Sequence, residues 1–322
     1  MLSFSRFICI ALLIGFLLSA CGDSADEPPQ DQSEGVNSSG VFDQFKQCYG
    51  DGDKTINLTT LNWQPYIGVD MRNYGPIHEL VVAAYNRQGY RVCTAFFTWE
   101  RTNTMGIAGQ QVDGYFPEYY SKDYEEVLVF SKGYPAGPAG FYKRADKDLG
   151  FQTRLGMEDF HALQPYRIGV VRGYVNTAPL DAAIGQFMDD IEDPEAKARA
   201  GEQAYLNENR DPADSDEQNL EKLYNDRVQL VFIDPNVAKY HINNSLKRRY
   251  PDIESELEFM TPPLIIHKVY TCISRSAPDY ERKIADFNAG LDAINRDGTL
   301  RKIMESHGFQ TTDGVNYQYV GI

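Results

Sequence analysis

The chain has 322 residues, 42% of them hydrophobic and 12% aromatic, which at roughly 100 to 200 residues per domain predicts two domains with real cores and excludes disorder throughout. Its 31 Lys and Arg stand against 46 Asp and Glu, a net charge of −15. Such a surface repels nucleic acid and does not adhere to anionic lipid, so DNA and RNA are excluded as partners.

The N-terminus is a different material from the rest. Arg6 supplies a positive start, Phe7 to Leu18 form an apolar run too short to span a bilayer comfortably, and the small residues Ser19 and Ala20 precede Cys21. The pattern predicts an export signal over 1–20 rather than a membrane helix. Leu18-Ser19-Ala20-Cys21 resembles the bacterial lipobox, which implies cleavage before Cys21 and acylation of that residue. The plainer alternative is an ordinary secretory signal with a chance cysteine. Each buried CH₂ of an acyl chain stabilises attachment by about 0.8 kcal/mol, so a multiply acylated Cys21 would be a durable anchor. The expected location is the periplasmic side of the cell envelope, with the inner or outer membrane left open.

Residues 21–40 are rich in Asp, Glu, Ser, Gly, Pro and Gln and read as a flexible tether. Beyond Cys9 and Cys21, the remaining cysteines are Cys48, Cys93 and Cys272, which allow one disulfide and one leftover thiol. A Cys48–Cys93 bridge would contribute about 4 kcal/mol by loop closure; three separate buried thiols is the competing reading. His78, His161, His241, His267 and His307 are scattered and no C-x-x-C occurs, so no metal site is expected.

From Thr55 onward strand and helix signals alternate. Ile56 to Leu61 reads as a strand, and Pro76 to Gln88 as a helix with Ile77, Leu80, Val81 and Ala84 on one face. Arg91 to Thr98 follows as a strand, then a short polar helix near 102–109 and a strand over Val127 to Ser131. In the second half Arg167 to Val171 is a strand entering the turn Arg172-Gly173-Tyr174, and a helical stretch follows. The polar stretch between Asp189 and Asp214 reads as an inserted surface helix. Ser215-Asp216-Glu217-Gln218 has the form of a capping box, and Val228 to Ile233 is a continuous apolar strand ending at Asp234-Pro235. Val269 to Ser274 is a last strand, and Tyr280 to His307 a helical pair broken at Asp297-Gly298. Alternation of this kind predicts an α/β fold with mostly parallel sheets flanked by helices.

Six segments sharpen that class: Leu58 to Tyr66 (LTTLNWQPY), Gln111 to Tyr115 (QVDGY), Phe130 to Tyr134 (FSKGY), Ile168 to Gly173 (IGVVRG), Val231 to Asp234 (VFID), and Phe287 to Leu291 (FNAGL) with Asp297 to Leu300 (DGTL). In order, from about Asp53 to Phe309, they resemble the family 3 extracellular solute-binding proteins, amino acid receptors of ABC importers. The resemblance implies a two-lobed type 2 periplasmic-binding-protein fold with two crossovers: lobe 1 from 41–144 plus 262–322, and lobe 2 from 145–261. In such receptors an aromatic after the first strand stacks on the ligand, where Trp63 stands, and a carboxylate at a second-lobe strand end takes the ligand ammonium, where Asp234 stands. The plainer alternative for Asp234 is a strand-end residue that caps a helix at Asn236. The family's carboxylate-gripping arginine is replaced by Tyr124, which cannot form a guanidinium fork, and its serine-rich turn by Phe116-Pro117-Glu118-Tyr119.

Arg172 or Arg101 would have to supply a cation from another direction, although each also reads as a surface or salt-bridged arginine. Tyr115, Phe116, Tyr119, Tyr120 and Tyr124 crowd beside the expected cleft, alongside Trp63, Tyr66, Trp99 and Tyr174. Rings there could sandwich a planar or cationic ligand at about 0.5 to 2 kcal/mol each. Asn176, just beyond Tyr174, completes the candidate set. No G-x-S-x-G, H-E-x-x-H, P-loop or dinucleotide fingerprint occurs, so neither a catalytic residue nor a cofactor is expected. The expected protein is a monomeric, lipid-anchored receptor for a small polar amine or zwitterion, partnered by an ABC permease or a sensor. Two alternatives stand beside it. One is an orphan sensory or scaffold lipoprotein; the other is a cyclic-acid dehydratase-like enzyme using Glu118 and Asp234.

Overall fold

The computed structural model describes residues 40–188, 191–311 and 316–321. The predicted export signal, most of the tether and Cys21 lie outside the described residues. Among the described residues no helix is long and apolar enough to cross a membrane.

The chain begins with α1 (Val41–Phe45) and β1 (Gln47–Tyr49), then β2 (Lys54–Thr60), α2 (Pro76–Asn86), β3 (Tyr90–Phe96), α3 (Trp99–Ala108) and β4 (Gly114–Tyr119). β5 (Leu128–Phe130) and the long β6 (Tyr134–Arg144) lead into the second half. There the chain forms β7 (Ile168–Val171), α4 (Ala178–Ile184), α5 (Pro194–Gln203), β8 (Arg210–Ala213), α6 (Asp216–Tyr224), β9 (Leu230–Ile233), α7 (Pro235–Asn244), α8 (Ile253–Glu256) and β10 (Leu257–Phe259). It returns along β11 (Ile265–Ser274) to α9 (Tyr280–Arg296) and α10 (Thr299–Ser306), and ends in a hairpin of β12 (Phe309–Thr311) and β13 (Tyr317–Tyr319).

Strand order is β1-β3-β2-β4-β11-β6-β9-β7-β8, with β5 on β11 and β10 on β6. Parallel ladders lie within each half, β3-β2-β4 in the first and β8-β7-β9 in the second. The antiparallel pair β6 and β11 carries the chain across and back, with Ile265 opposite Ala139 and Val269 opposite Tyr134. These are the two crossovers, and β6 was not legible as a strand: Gly133, Pro135, Gly137, Pro138 and Gly140 read as breakers. Pro135 and Pro138 are accommodated opposite Lys268 and Ile266, where the ladder shifts register.

The predicted elements fall within a few residues of the observed ones. β11 starts four residues before its prediction, and the inserted polar stretch contains an exposed α5 followed by β8. Ser215 caps α6 by accepting from the Gln218 N–H, while Gln218 Oε1 accepts from Asp214 N. Helices α2 and α9 cover one face of the first half. Ile284, Phe287, Leu291 and Ile294 of α9 are buried, each stabilising by about 1.5 to 3 kcal/mol. Gly290 permits the approach, because a Cβ there would stand 1.9 Å from the Ala84 carbonyl oxygen of α2. Asp113 of the QVDGY segment is structural: it accepts from Lys283 Nζ at 2.6 Å and from the Asn57 N–H at 2.8 Å. Cys48 and Cys93 form a disulfide between neighbouring strands β1 and β3, and Cys272 is a buried free thiol.

Candidate functional site

Both halves turn strand ends and helix starts towards a common seam. From the first half come the loop after β2, which carries Trp63 and Tyr66, the end of β4 with Pro117, Glu118 and Tyr119, and the first residue of α3, Trp99. From the second come Tyr174 and Val175 after β7, Asp216 opening α6, and Asp234 opening α7. A cavity of about 30 Å³ lies between them, lined by Leu61, Trp63, Trp99, Pro117, Glu118, Tyr119, Tyr174, Val175 and Val269. That volume suits two or so water-sized groups, so a larger solute must part the rings to be seated. None of the nine lining residues is cationic.

The rings pack in two groups around the cavity. Trp63 stacks on Tyr66 at a centroid separation of 4.5 Å and meets Tyr119 edge-on at 5.8 Å. Trp99 meets Tyr174 edge-on at 5.6 Å and donates its indole N–H to the Gly173 carbonyl at 3.0 Å, a bond from the first half to the second. Tyr119 is backed by His267 of β11 at 3.8 Å. Burial lowers His267 to about 4, so the imidazole is neutral at ordinary pH and adds no positive charge.

Three carboxyl groups are buried hereabouts: Glu118 in the cavity lining, Asp234 on the Tyr66 hydroxyl, and Asp216 at the start of α6. Glu118, 3% exposed, accepts from the Tyr115 hydroxyl at 2.8 Å and from the Tyr119 N–H at 2.7 Å. Burial outweighs those bonds and pushes it up to about 8. Asp234 caps α7 by accepting from the Asn236 N–H at 2.7 Å, and its other oxygen accepts from the Tyr66 hydroxyl at 2.7 Å, across the seam. Asn236 Nδ2 donates to the same phenol oxygen at 2.8 Å, and Asn236 Oδ1 accepts from the Tyr319 N–H at 3.0 Å. Gly137 of β6 lies against this cluster so closely that a Cβ would stand 2.3 Å from the Asp234 carboxylate. Burial, opposed by those hydrogen bonds, still pushes Asp234 up to about 7. Asp216, 7% exposed, is pushed up to about 7 by burial and then by the Asp234 charge. No hydrogen bond to its carboxylate is formed among the described residues.

Of the ten residues anticipated from sequence, Trp63, Trp99, Tyr119 and Tyr174 line the cavity, Tyr66 stacks on Trp63, and Asp234 takes the Tyr66 hydroxyl. The other four lie elsewhere. Arg101 is exposed, its guanidinium 4.9 Å from the centre of the Phe97 ring. Arg172 is exposed beside Asp214 at 3.6 Å. Tyr124 packs with Tyr115, Leu128 and Cys272. Asn176 donates to Asp181 at 2.6 Å and borders an open groove on the other side of Tyr119. Asp216 does not line the cavity; it is the buried first residue of α6. Glu118 was noticed in the turn that replaces the family's serines.

No family model and no curated protein sequence matches the chain. Among solved structures, it is similar to a histidine kinase sensor domain described as resembling periplasmic binding proteins, at 15% identity, covering 82% of this chain and 98% of that one with a TM-score of 0.59. It is also similar to a mutant of ArgBP from T. maritima, at 14% identity, 79% and 94% coverage and a TM-score of 0.55. A third likeness is an arginine transport system periplasmic binding protein from Legionella pneumophila, at 17% identity, 79% and 99% coverage and a TM-score of 0.52. At such identities the likeness is one of fold, and the chain has the two-lobed fold of the type 2 periplasmic binding proteins.

Proposed function

We propose that this chain is an extracytoplasmic solute-binding protein, held to a membrane through Cys21, whose two lobes shut on a small amine or zwitterion and present it to an ABC importer or a sensor. Lobe 1 comprises 41–144 with 262–322 and lobe 2 comprises 145–261, and the protein works as a monomer without a catalytic step. The observation that carries this reading is the ring-lined cavity at the seam, supplied by both lobes and crossed by only two strands. A solute there would favour the shut form by its greater affinity for it. The fold neighbours, described as arginine-binding, transport-system and sensor proteins, support the same class. The test is a thermal-shift screen of amino acids, polyamines and aromatic acids: a bound solute raises the midpoint in a concentration-dependent way, and a flat response to all of them contradicts the reading. Palmitate-analogue labelling that persists in Cys21→Ser would contradict the anchor.

A sensory role has one observation of its own. The Tyr66–Asp234 and Trp99–Gly173 hydrogen bonds join the two halves directly, contacts that a change in the separation of the halves would break, as a sensor's signal requires. A solute that increased the radius of gyration would favour sensing over delivery.

A further inference from the structure

We propose that the β12–β13 hairpin is a strap across the two halves: with Tyr66, Asp234 and Asn236 it forms a latch that ties them together and must release before they part. The strap requires halves that part but no particular solute, so its failure leaves the solute-binding reading standing.

The hairpin follows α10, which packs on α2 and α9 of the first half, yet its two strands face different halves. Phe309 of β12 is fully buried and packs on Tyr66 of the first half at a ring separation of 5.2 Å. Tyr319 of β13, opposite Phe309 in the ladder, turns to the second half. Its ring lies 6.3 Å from that of Tyr240, its carbonyl oxygen stands 3.5 Å from Lys239 Nζ, and its N–H donates to Asn236 Oδ1 at 3.0 Å. All three partners belong to α7. The rings of Phe309 and Tyr319 are themselves 5.3 Å apart, so the hairpin is one packed unit. Parting the halves breaks its contacts with one of them.

The hydrogen bonds beside it run through a single side chain. Asn236 Nδ2 donates to the Tyr66 hydroxyl at 2.8 Å, and that hydroxyl donates to Asp234 at 2.7 Å. The Asn236 amide is therefore occupied at both ends, its nitrogen by the loop after β2 and its oxygen by β13. Asn236, Asp234 and Tyr66 are all buried, where a polar group that loses its partner is costly. Gly137 of β6, one of the two crossing strands, leaves the network no slack: a Cβ there would stand 2.3 Å from the Asp234 carboxylate, 2.4 Å from the Tyr66 hydroxyl and 2.6 Å from Asn236 Nδ2. Bonds that share partners in this way are lost together. The strap thus sets how readily the halves separate to admit a solute at the seam.

The test uses the full chain in a Trp63→Phe background, where the remaining tryptophan is Trp99, whose bond to Gly173 crosses the seam and involves no residue of the strap. Asn236→Leu removes both amide bonds, and Tyr319→Pro removes the N–H that Asn236 accepts. Each should raise the acrylamide quenching constant of Trp99 about twofold and enlarge the radius of gyration, with the circular dichroism of a folded chain. Gln318→Ala, on the exposed side of the same strand, should change neither. Unchanged quenching and radius in both folded variants, or an equal change in Gln318→Ala, would overturn the proposal. Hydrogen exchange of the unaltered chain decides the matter if a variant fails to fold. Backbone amides of 316–321 should exchange about tenfold more slowly than an unfolded peptide, and exchange at the unfolded rate would show that the hairpin is not docked.

Discussion

Asp216→Asn exchanges one oxygen for nitrogen and removes a buried ionisable group that no hydrogen bond among the described residues supports. Folding raises this carboxyl from 3.8 to about 7, by burial first and then by the charge of Asp234. A carboxyl whose folded value lies above its unfolded one favours the fold in acid and loses that contribution as the pH climbs from about 4 through about 7. Converted at 1.36 kcal/mol for each tenfold change, the difference sets a ceiling of about 4 kcal/mol, which relaxation and water penetration reduce. Without any amine present, Asp216→Asn should therefore raise the unfolding free energy by about 2 kcal/mol at pH 8.5 and by less than half of that at pH 5. The titratable groups whose charges interact with Asp216 are Asp234, Tyr119 and Tyr174, and Glu118 interacts with Tyr174 as well, so Glu118→Gln serves as a parallel control. Urea unfolding followed by circular dichroism at the two pH values reads the effect as a shifted midpoint at constant slope. An equal loss of stability at both pH values would refute the reasoning, because it would make the carboxylate a needed acceptor rather than an unsatisfied charge.

Three further outcomes follow from the same geometry. Tyr66→Phe removes the donor that joins Asp234 to the first lobe and should cost about 1 to 3 kcal/mol in urea, with a larger radius of gyration by small-angle scattering; unchanged values in both would show that the latch holds nothing. Cys48 and Cys93 are separated by 45 positions, so reduction should lower the unfolding free energy by about 4 kcal/mol, and an unmoved urea midpoint under reductant would contradict that. The chain's two tryptophans both line the cavity, so agmatine or another bound cation should change tryptophan emission saturably, with a smaller change in Trp99→Phe; calorimetric binding without any change in emission would place the solute elsewhere.

The architecture was legible wherever local physics decides it. The break between α9 and α10 falls at Asp297-Gly298, and Ser215 caps α6 as its pattern implies. β6 was hidden because its prolines and glycines are tolerated only through pairing with β11, a long-range relation that no local pattern records. The site followed the same division. Aromatic residues beside strand ends could be marked as cleft candidates, and Trp63, Trp99, Tyr119 and Tyr174 do share one cavity. The charged member was harder: Asp234 reads as a helix cap, and its bond across the seam depends on Tyr66, far away in the sequence. Arg101 and Arg172 were drawn in by the missing fork of Tyr124, but each settles on a nearby partner, Phe97 and Asp214.

The most direct measurement is a crystal structure of the chain grown with agmatine or putrescine at saturating concentration. The account predicts a ligand seated at the seam between the lobes, among Trp63, Trp99, Tyr119 and Tyr174. Ligand density away from that seam, or none at saturating concentration, would contradict it.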